Sequence, residues 1–477
     1  MNSLKTIYKK LFVGILAITL FSCSDPWSDR ENNGDENLNS NLSEAITATA
    51  EVSKFGELLT KSGYDKILSA SKTYTVFAPT NEAIALLDAS ILNNPEALSA
   101  FVANHIALTS YSSVRNEEVI QIKMLSDKYL DFKGNNLISD ATIISADHYA
   151  KNGIFHIINH TLAPKKNIWE YIKSQTAISS MSTYLVSLNE LNIYDSDIPA
   201  KENAVPGALA DSLSNSFLKN VYNVNNEKNS YTLFLIEDEG YNAEVDKLKP
   251  YLNKLTADST ATYSRYFTVR DMVFPKAYKP NELPTELTTR FGVTVPIDKT
   301  QIVGEPIVLS NGIIYRMKKV EVPLVNRLIP TKIEGEKNIG YFPNDLRSKM
   351  MYRDLVDPND PLEILFNDIY VKNTKVSNAQ LNYAASDLYS TTYKVYWRAI
   401  NTSAIVFQQK VAITNGGVIQ TLPYINVAQN VYGDVYLGKF NLTQAGKMSA
   451  YLIANTTTAD GTNSLTLDYL KFVPDVK

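Results

Sequence analysis

The 477-residue sequence contains a single cysteine, Cys23, and only four histidines. A chain with one cysteine cannot form an internal disulfide bond, and it cannot supply the cysteine pairs of a structural zinc site. Its exported domains must therefore be held together by their hydrophobic cores. The sequence also contains no Gly-x-Ser-x-Gly motif, phosphate-binding loop, dinucleotide fingerprint or EF-hand series, so catalysis by the common enzyme classes has little support.

A large excess of either charge is also lacking. The chain has 46 basic and 50 acidic residues, for a formal charge of −4. Much of the acidic excess lies in residues 24–44, where six acidic residues accompany Arg30 alone. The remainder is near neutral and has no basic stripe, so we expect no nucleic-acid partner.

The N-terminal segment has the pattern of an export signal. Three lysines precede an apolar run over residues 11–21, which is too short to be a stable membrane span. The segment ends in Leu20-Phe21-Ser22-Cys23, which resembles a bacterial lipobox. The resemblance implies that residues 1–22 are a signal peptide and that Cys23 becomes the acylated first residue, with palmitate among its chains.

The next segment, residues 23–45, is predicted to be an acidic, flexible tether because it has few apolar residues to bury. Ser24 and the acidic residues beyond it resemble the sorting and export signals of Bacteroidetes-type lipoproteins. The resemblance implies a lipid anchor in the outer membrane and exposure at the cell surface.

The stretch "YTVFAPTNEAI", residues 74–84, predicts a strand that turns at once into a helix. Pro79 cannot continue a central strand, while Thr80 and Asn81 are side chains that cap helix N-termini. Together with "FVANHIAL" (101–108) and "NGIFHIINHTLAP" (152–164), this stretch resembles the fasciclin (FAS1) family. The resemblance implies an α+β wedge over residues 46–165, with roles in adhesion and in matrix or glycan interaction.

One position departs from the family pattern. The family has a Tyr-His pair where this chain has Asn104 and His105. An adhesion role carried by that pair is therefore not expected here, and His105 is expected to be a satisfied core histidine.

A second copy of the unit is predicted over residues 166–326. Tyr231 follows Tyr74 by 157 residues and Gly312 follows Gly153 by 159, so two landmarks recur at nearly the same offset. The copy is divergent, because Ile236-Glu237-Asp238 replaces the Ala-Pro-Thr corner and an insertion occupies the region around residues 195–215.

The C-terminal segment, residues 327–477, has short alternating strands and is predicted to be an all-β sandwich. Its pieces resemble jelly-roll carbohydrate-binding modules and galactose-binding-like domains: "TKIEGEK", "YKVYWRA", "LTQAG" and "LDYLKFVP", in that order. The predicted fold class is thus α+β, with two FAS1 domains followed by a jelly-roll-like sandwich.

The resemblance to carbohydrate-binding modules implies a structural calcium site made by Glu334, Glu336 and Asp468. If the first two lie on one strand, they face the same way about 7 Å apart, and calcium requires several oxygen ligands. The alternative is a pair of exposed glutamates on an edge strand. No other cofactor is required by the sequence.

Three tyrosines in turn-rich stretches, Tyr389, Tyr424 and Tyr432, are candidates to present a ring face to a sugar. The alternative is that they cover one end of the sandwich. His156 and His160 have helical zinc spacing, but on a strand they would lie about 13 Å apart, too far to share an ion. The acidic stretch "DPNDPLEILFND", residues 357–368, is expected to be a solvated loop leading into a helix.

These patterns favour a non-enzymatic outer-membrane surface lipoprotein that binds an extracellular polymer, most simply a glycan, or mediates adhesion. The alternative is a structural accessory subunit of an outer-membrane glycan or peptide import complex, formed by a TonB-dependent transporter and surface lipoproteins. In that case the FAS1 surfaces would bind protein.

Overall fold

The computed structural model describes residues 39–69, 73–115, 118–134, 136–188, 215–372, 374, 376, 378–455 and 462–476. The signal segment, Cys23, most of the predicted tether and nearly all of the insertion lie outside these residues. The chain divides into two compact units. The first comprises residues 1–167 with 226–228 and 309–311, and the second comprises the remainder. Within the described ranges, no helix is both long enough and apolar enough to cross a membrane.

The helices of the first unit surround one face of a sheet. Their bounds are α1 Leu42–Ala48, α2 Ser53–Ser62, α3 Tyr64–Leu68, α4 Asn81–Ala85, α5 Ala89–Asn93 and α6 Pro95–Ala103.

Helix α1 begins inside the segment that was predicted to be a tether. The Asn41 side chain accepts a hydrogen bond from the Glu44 backbone at 3.0 Å, and the Glu44 carboxylate accepts one from the Asn41 backbone at 3.1 Å. This capping box starts a helix whose residues Leu42, Ala45 and Ile46 are fully buried. The prediction that the tether extends to residue 45 is therefore wrong, because local capping and three buried side chains stabilise a helix there.

The strands of the first unit form a single sheet in the order β2-β1-β7-β6-β5-β4-β3. Their bounds are β1 Tyr74–Pro79, β2 Ile106–Leu108, β3 Ile120–Lys123, β4 Tyr129–Lys133, β5 Leu137–Ile138, β6 Ala141–Ala150 and β7 Gly153–Ile158.

The central strands β1 and β7 are parallel and buried along their whole length. Val76 and Phe155 pack into the core that contains the helices, whereas Phe77 and Ile158 pack into a second core on the other face. After β1, the Thr80 hydroxyl accepts a hydrogen bond from Ala83 N at 3.2 Å and caps α4. The predicted strand-to-helix switch is thus confirmed.

The second unit begins with a helical and mixed-sheet part. Its helices are α7 Ile168–Ser174, α8 Ser180–Ser187, α9 Ser216–Asn220, α10 Asp238–Leu248, α11 Ala257–Val269 and α12 Leu324–Arg327. Its strands are β8 Tyr231–Ile236, β9 Val273–Phe274, β10 Glu286–Thr288, β11 Thr294–Pro296, β12 Ile307–Leu309 and β13 Gly312–Met317.

This part repeats the centre of the first unit. Strands β8 and β13 are parallel with Tyr231 opposite Gly312, as β1 and β7 are with Tyr74 opposite Gly153. The sheet order is β12-β13-β8-β9, and β10 pairs with β11 separately. The helix after β8 has Glu237 at its N-cap with no side-chain cap hydrogen bond, consistent with the divergent corner in the sequence.

The rest of the second unit is the predicted all-β sandwich. The strand bounds are β14 Thr331–Glu334, β15 Gly340–Phe342, β16 Met350–Val356, β17 Leu365–Val371, β18 Gln380–Leu388, β19 Thr392–Arg398, β20 Phe407–Asn415, β21 Val418–Thr421, β22 Ile425–Val427, β23 Val435–Asn441, β24 Gly446–Ala454, β25 Leu465–Leu467 and β26 Tyr469–Pro474.

These strands form three antiparallel sheets. Their orders are β14-β26-β19-β23, β15-β18-β24-β20-β21 with β22 beside β20, and β16-β17-β25. In β19, Tyr393, Val395 and Trp397 are buried and their neighbours are half-exposed, as the alternation predicted.

The acidic stretch 357–368 does not lead into a helix. Its last four residues, 365–368, begin β17, which pairs with β16 so that Phe366 lies opposite Leu355 and Asp368 opposite Arg353. The prediction of a helix is wrong because cross-strand pairing, which the local sequence does not reveal, decides the conformation.

The sandwich and the part before it share one core. Leu248, Leu252 and Leu328 belong to the same cluster of buried side chains as Trp397 and the other sandwich residues. Backbone hydrogen bonds of 2.8 Å join Ser390 N to Tyr251 O and Ala445 N to Asn253 O. The sandwich strands begin near the predicted boundary at residue 327, yet no break in packing occurs there.

Candidate functional site

The three carboxylates predicted to bind calcium do not converge. Strands β14 and β26 are neighbours, as expected, but Glu336 lies in a short 3-10 helix that follows β14. The Glu334 carboxylate lies 3.2 Å from the Lys332 ammonium, and the Asp468 carboxylate pairs with the Arg398 guanidinium. Burial raises the pKa of Asp468, and the hydrogen bond from Arg398 opposes that rise.

These residues do not fit a calcium site. Among the residues that the structure describes, no group of three or more His, Cys, Asp or Glu side chains is placed to hold a metal ion. The Arg398 guanidinium supplies positive charge beside Asp468 where the prediction placed a divalent ion. The predicted convergence of Glu334, Glu336 and Asp468 is therefore wrong.

A second arginine–aspartate pair lies in the same part of the sandwich. Arg353 Nε donates to Asp368 Oδ1 at 2.9 Å, and its Nη2 donates to Ile400 O at 3.0 Å and to Thr466 Oγ1 at 3.1 Å. Asp368 is fully buried. The hydrogen bonds from Arg353 therefore connect the β16–β17 pair to Thr466 on β25 and to the backbone at Ile400.

The tyrosines predicted to face a sugar have different environments. Tyr389 is 6% exposed and its hydroxyl donates to Arg327 O at 2.9 Å, so it is a core residue and the prediction for it is wrong. Tyr424 is half-buried, with the Lys410 ammonium 4.4 Å from its ring centroid and its hydroxyl 3.3 Å from Ala454 O. Tyr432 is half-buried, and its role stays a prediction.

A cavity of about 510 Å³, which we call the junction cleft, lies between the helical part of the second unit and the sandwich. Helix α11 and the residue after it form one wall, and the segments around Pro330 and Asp387 form the other. The lining residues are Asn220, Tyr263, Tyr266, Phe267, Arg270, Phe291, Ile329, Pro330, Thr331, Ser386, Asp387 and Tyr389. Its volume falls in the range of small-ligand clefts, and of its five aromatic residues Tyr263, Phe267 and Phe291 are half-buried, whereas Tyr266 and Tyr389 are buried.

Arg270 is the cationic group in the lining of the junction cleft. Its guanidinium carbon lies 3.6 Å from the Phe267 ring centroid and 4.5 Å from that of Phe291. Its side chain is only 12% exposed, which strengthens both cation–π contacts. The two phenylalanines themselves are half-buried, so part of each ring remains accessible from the cleft.

The rim of the cleft carries a second cation and an acid. The Lys254 ammonium lies 4.1 Å from the Tyr263 ring centroid and 2.9 Å from Ala445 O. Burial lowers the pKa of Lys254, and the charge of Asp387 opposes that change. Asp387 itself is exposed at the rim.

Behind the cleft lies a buried ionic cluster. Arg327 Nη2 is 3.2 Å from Glu244 Oε2, and Arg327 Nη1 is 3.6 Å from Asp271 Oδ2. Arg270 Nε lies 3.7 Å from the other Asp271 oxygen. Burial raises the pKa of Asp271, and the two arginines oppose that rise. The cluster fixes the end of α11 that carries Arg270.

In the first unit, Asn104 and His105 are structural. His105 Nδ1 donates to Phe101 O at 2.8 Å and its Nε2 accepts from Leu162 N at 2.9 Å, while Asn104 Nδ2 donates to Leu162 O at 2.8 Å. Burial lowers the pKa of His105 to about 4. The pair therefore joins α6 to the segment after β7 and is not available to a partner.

The two other candidate histidines do not share a site. His156 is fully buried, with Nε2 donating to Tyr111 O at 2.8 Å and Nδ1 accepting from Asp147 N at 3.2 Å. His160 is exposed beside Asp140.

The sequence reasoning missed the junction cleft entirely. In the sequence, the cleft is indicated locally only by the aromatic and basic residues of "YSRYFTVR", residues 263–270. The same pattern is typical of an ordinary amphipathic helix, so it does not by itself predict a binding cleft. The cleft depends on Phe291 and Asp387, which are distant in sequence and are brought to α11 by the shared core.

Similarity to known protein families is clearest in the first unit. The family model of the Fasciclin domain matches residues 50–164, which contain the β1–β7 pair and the capped switch after β1. Residues 50–164 form a Fasciclin domain. The match lies within the first unit and supports the resemblance drawn from the sequence.

Curated relatives of this Fasciclin domain include protein sll1483 of Synechocystis, 32% identical over 106 residues that cover 20% of this chain and 58% of that protein. Transforming growth factor-beta-induced protein ig-h3 of Oryctolagus cuniculus is 27% identical over 180 residues, covering 31% of this chain and 26% of that protein. The chain thus spans less than two thirds of the length of either relative.

Two solved structures are similar to parts of the chain. A FAS1 domain pair from the insect cell adhesion molecule fasciclin I is 18% identical with a TM-score of 0.22, covering 57% of this chain and 97% of that one. A carbohydrate-binding module of family 36, in complex with calcium and xylotriose, is 18% identical with a TM-score of 0.19, covering 30% of this chain and 98% of that one.

Proposed function

We propose that this protein is a non-enzymatic surface lipoprotein of the outer membrane that binds an extracellular glycan or matrix polymer. The observation that carries the proposal is the junction cleft. Its half-buried aromatic rings offer flat faces to the C–H side of a sugar, and Asn220, Thr331, Ser386 and Asp387 offer hydrogen-bonding groups around them.

The adhesive character of the molecule is supported by its Fasciclin domain. We assign no catalysis to the chain, because the groups that line the cleft are suited to holding a ligand: aromatic faces, one guanidinium, amide and hydroxyl groups, and one exposed carboxylate. The proposal requires no metal ion or cofactor.

Anchoring is assigned to Cys23. Lipidation of a lipobox cysteine supplies more than one acyl chain, which is enough for stable attachment, whereas a single chain is marginal. Replacing Cys23 with alanine should leave the protein unprocessed and absent from outer-membrane fractions. Continued membrane fractionation of that variant would assign the anchoring to a protein partner instead.

Binding is tested with the purified full chain against immobilised neutral and acidic polysaccharides. Phe291→Ala removes one ring of the cleft and should weaken retention on whichever polymer binds by roughly tenfold, the effect of one stacking aromatic side chain. Tyr436→Ala, at a half-exposed ring on β23 of the sandwich, is the matched control. Failure of every polymer to bind would reject the proposal.

A second candidate function is favoured by one observation. At the turn of the β16–β17 hairpin, Leu362, Ile364 and Leu365 are 75%, 58% and 69% exposed. Such a patch is typical of a protein-binding surface, which would suit an accessory subunit of an outer-membrane import complex. Affinity purification from native outer membranes with the wild type and with Leu362→Ser/Ile364→Ser tests it, since a transporter lost only from the variant would support this role.

A further inference from the structure

We propose that the junction cleft selects glycans that carry a carboxylate, and that Arg270 binds that group. The inference rests on the proposed function, because it names the class of glycan that the same cleft would hold.

The stacking of Arg270 prepares it for this role. A guanidinium that stacks on aromatic rings uses its two faces, whereas its N–H donors lie in its plane. Phe267 and Phe291, both within 4.5 Å of its central carbon, hold the side chain by stacking, while Tyr389 and Asp271 lie beside part of its in-plane edge. A carboxylate matches the resulting fork with two parallel hydrogen bonds.

The charges around the cleft also favour an anion. Arg290 lies 5.9 Å from the ring centroid of Phe291, and Lys254 lies 4.1 Å from that of Tyr263, so each cation flanks a ring of the lining. With Arg270 and the buried Arg327 behind it, four cations lie in or near the cleft, against three acids, Asp387, Asp271 and Glu244. The chain as a whole has a formal charge of −4, whereas the charges in and around the cleft sum to one positive charge, which favours an anion there.

Asp271 does not neutralise Arg270 fully. It lies behind the cleft and is shared between Arg270 and Arg327, at 3.7 and 3.6 Å, both longer than a good hydrogen bond. The guanidinium therefore keeps capacity for a second carboxylate on its cleft side. Since the cavity of about 510 Å³ also has aromatic and hydroxyl groups, the ligand is larger than a simple anion and has sugar character.

The test compares two polymers that have the same sugar backbone and differ in whether the carboxyl group is ionised or esterified. Polygalacturonate and its fully methyl-esterified form have the same backbone, but esterification removes the negative charge and one acceptor oxygen. Titration of each into the purified full chain should show that the acid binds at least roughly tenfold more tightly, as expected for a charge-assisted hydrogen-bonded pair. This comparison needs no variant, so it holds even if substitutions at Arg270 affect folding.

Variants then locate the effect. Arg270→Gln should bring the two polymers to within about twofold of each other by removing the charge-assisted pair, while Arg270→Lys should retain part of the preference because the charge remains. Arg265→Gln, at an exposed arginine of the same helix that does not line the junction cleft, should leave the preference unchanged.

The outcomes separate the inference from the proposed function. Equal binding of the acid and the ester would overturn carboxylate selection while leaving glycan binding intact. Dextran sulfate binding as tightly as polygalacturonate would also overturn it, since the cleft would then select any polyanion. Binding of polyglutamate in the absence of binding by polygalacturonate, its ester, xylan or dextran would overturn both, and would assign the cleft to an acidic peptide.

Discussion

Gly153 and Gly312 occupy equivalent positions in the two units. Each begins the second strand of the central parallel pair, with φ of +156° and +152°, and each lies against the backbone carbonyl of a tyrosine, Tyr74 or Tyr231. A Cβ atom at either position would collide with that carbonyl oxygen. The two strands can therefore approach only because both residues are glycine.

Gly153→Ala and Gly312→Ala should each destabilise their own unit by about 2–4 kcal/mol, through backbone collision and an unfavourable φ. Denaturant unfolding with amide exchange of β7 or β13 measures the loss in each unit. Gly433→Ala, where a Cβ would meet no atom within 4 Å, should change stability by less than about 0.5 kcal/mol. Equal effects at all three positions would refute the steric explanation.

The first unit should lose stability in mild acid. The pKa of His105 is about 4 in the folded protein because the ring is buried, against 6.5 for a free side chain. Since the folded pKa is the lower one, the stabilisation is complete above pH 6.5 and is lost as the pH falls from 6.5 toward 4, by about 3 kcal/mol in total. Burial lowers the pKa of His156 as well, so it contributes in the same direction.

Urea unfolding of the wild type and His105→Gln between pH 7.5 and 4.5, followed by amide exchange of β1 and β7, checks this expectation. The variant should show a smaller loss of stability over the pH range. His160→Gln, at an exposed histidine, should behave like the wild type. An unchanged pH slope in His105→Gln would contradict the assigned role of this histidine.

Calcium should not stabilise the second unit. The Arg398–Asp468 pair occupies the position where a calcium site was predicted, so the melting temperature should be the same in millimolar calcium and in chelator. Arg398→Met should cost about 3–5 kcal/mol, because it leaves the Asp468 carboxylate buried without its partner. Arg398→Met/Asp468→Leu should recover most of that loss. A calcium-dependent rise in melting temperature would restore the metal site.

The helical part of the second unit and the sandwich should unfold together. Leu252 packs in the core that contains Trp397, so Leu252→Ala should lower the stability of β8 and of β19 by the same amount, about 2–4 kcal/mol. Amide exchange in urea reports both strands in one experiment. Leu255→Ala, at an exposed leucine of the same segment, should leave both unchanged. Loss of stability in β8 alone would show that the two parts are independent.

Much of the local structure was predictable, because the switch at Pro79 and Thr80 and the alternation in β19 depend on neighbours in sequence. The duplication was predictable because Gly153 and Gly312 recur at nearly the same offset as the two tyrosines. Three of the failures share one cause. Glu336 lies in a 3-10 helix and not in the predicted strand, residues 365–371 form a strand and not the predicted helix, and Tyr389 is buried and not exposed. In each case the conformation is determined by contacts with residues far away in the chain. A periodic pattern in the sequence indicates which side chains face the core, but it does not indicate which residues they contact there.

The candidate site illustrates the same limit. The calcium site was expected from the resemblance to carbohydrate-binding modules, and the sequence does not reveal that Arg398 lies beside Asp468. The junction cleft was not anticipated because its lining comes from the helix α11, a loop near Phe291 and the sandwich turn at Asp387. No contiguous motif could have indicated it.

The core shared by Leu248, Leu252 and Leu328 with the sandwich also limits modularity. A gene fragment that starts at residue 327 would encode a sandwich that keeps Leu328 but lacks Leu248 and Leu252, and the remaining fragment would expose those two leucines to water. The sandwich is therefore not an independent domain that recombination could transfer between proteins without loss of its core. The compact unit that contains it begins with α7, at Ile168.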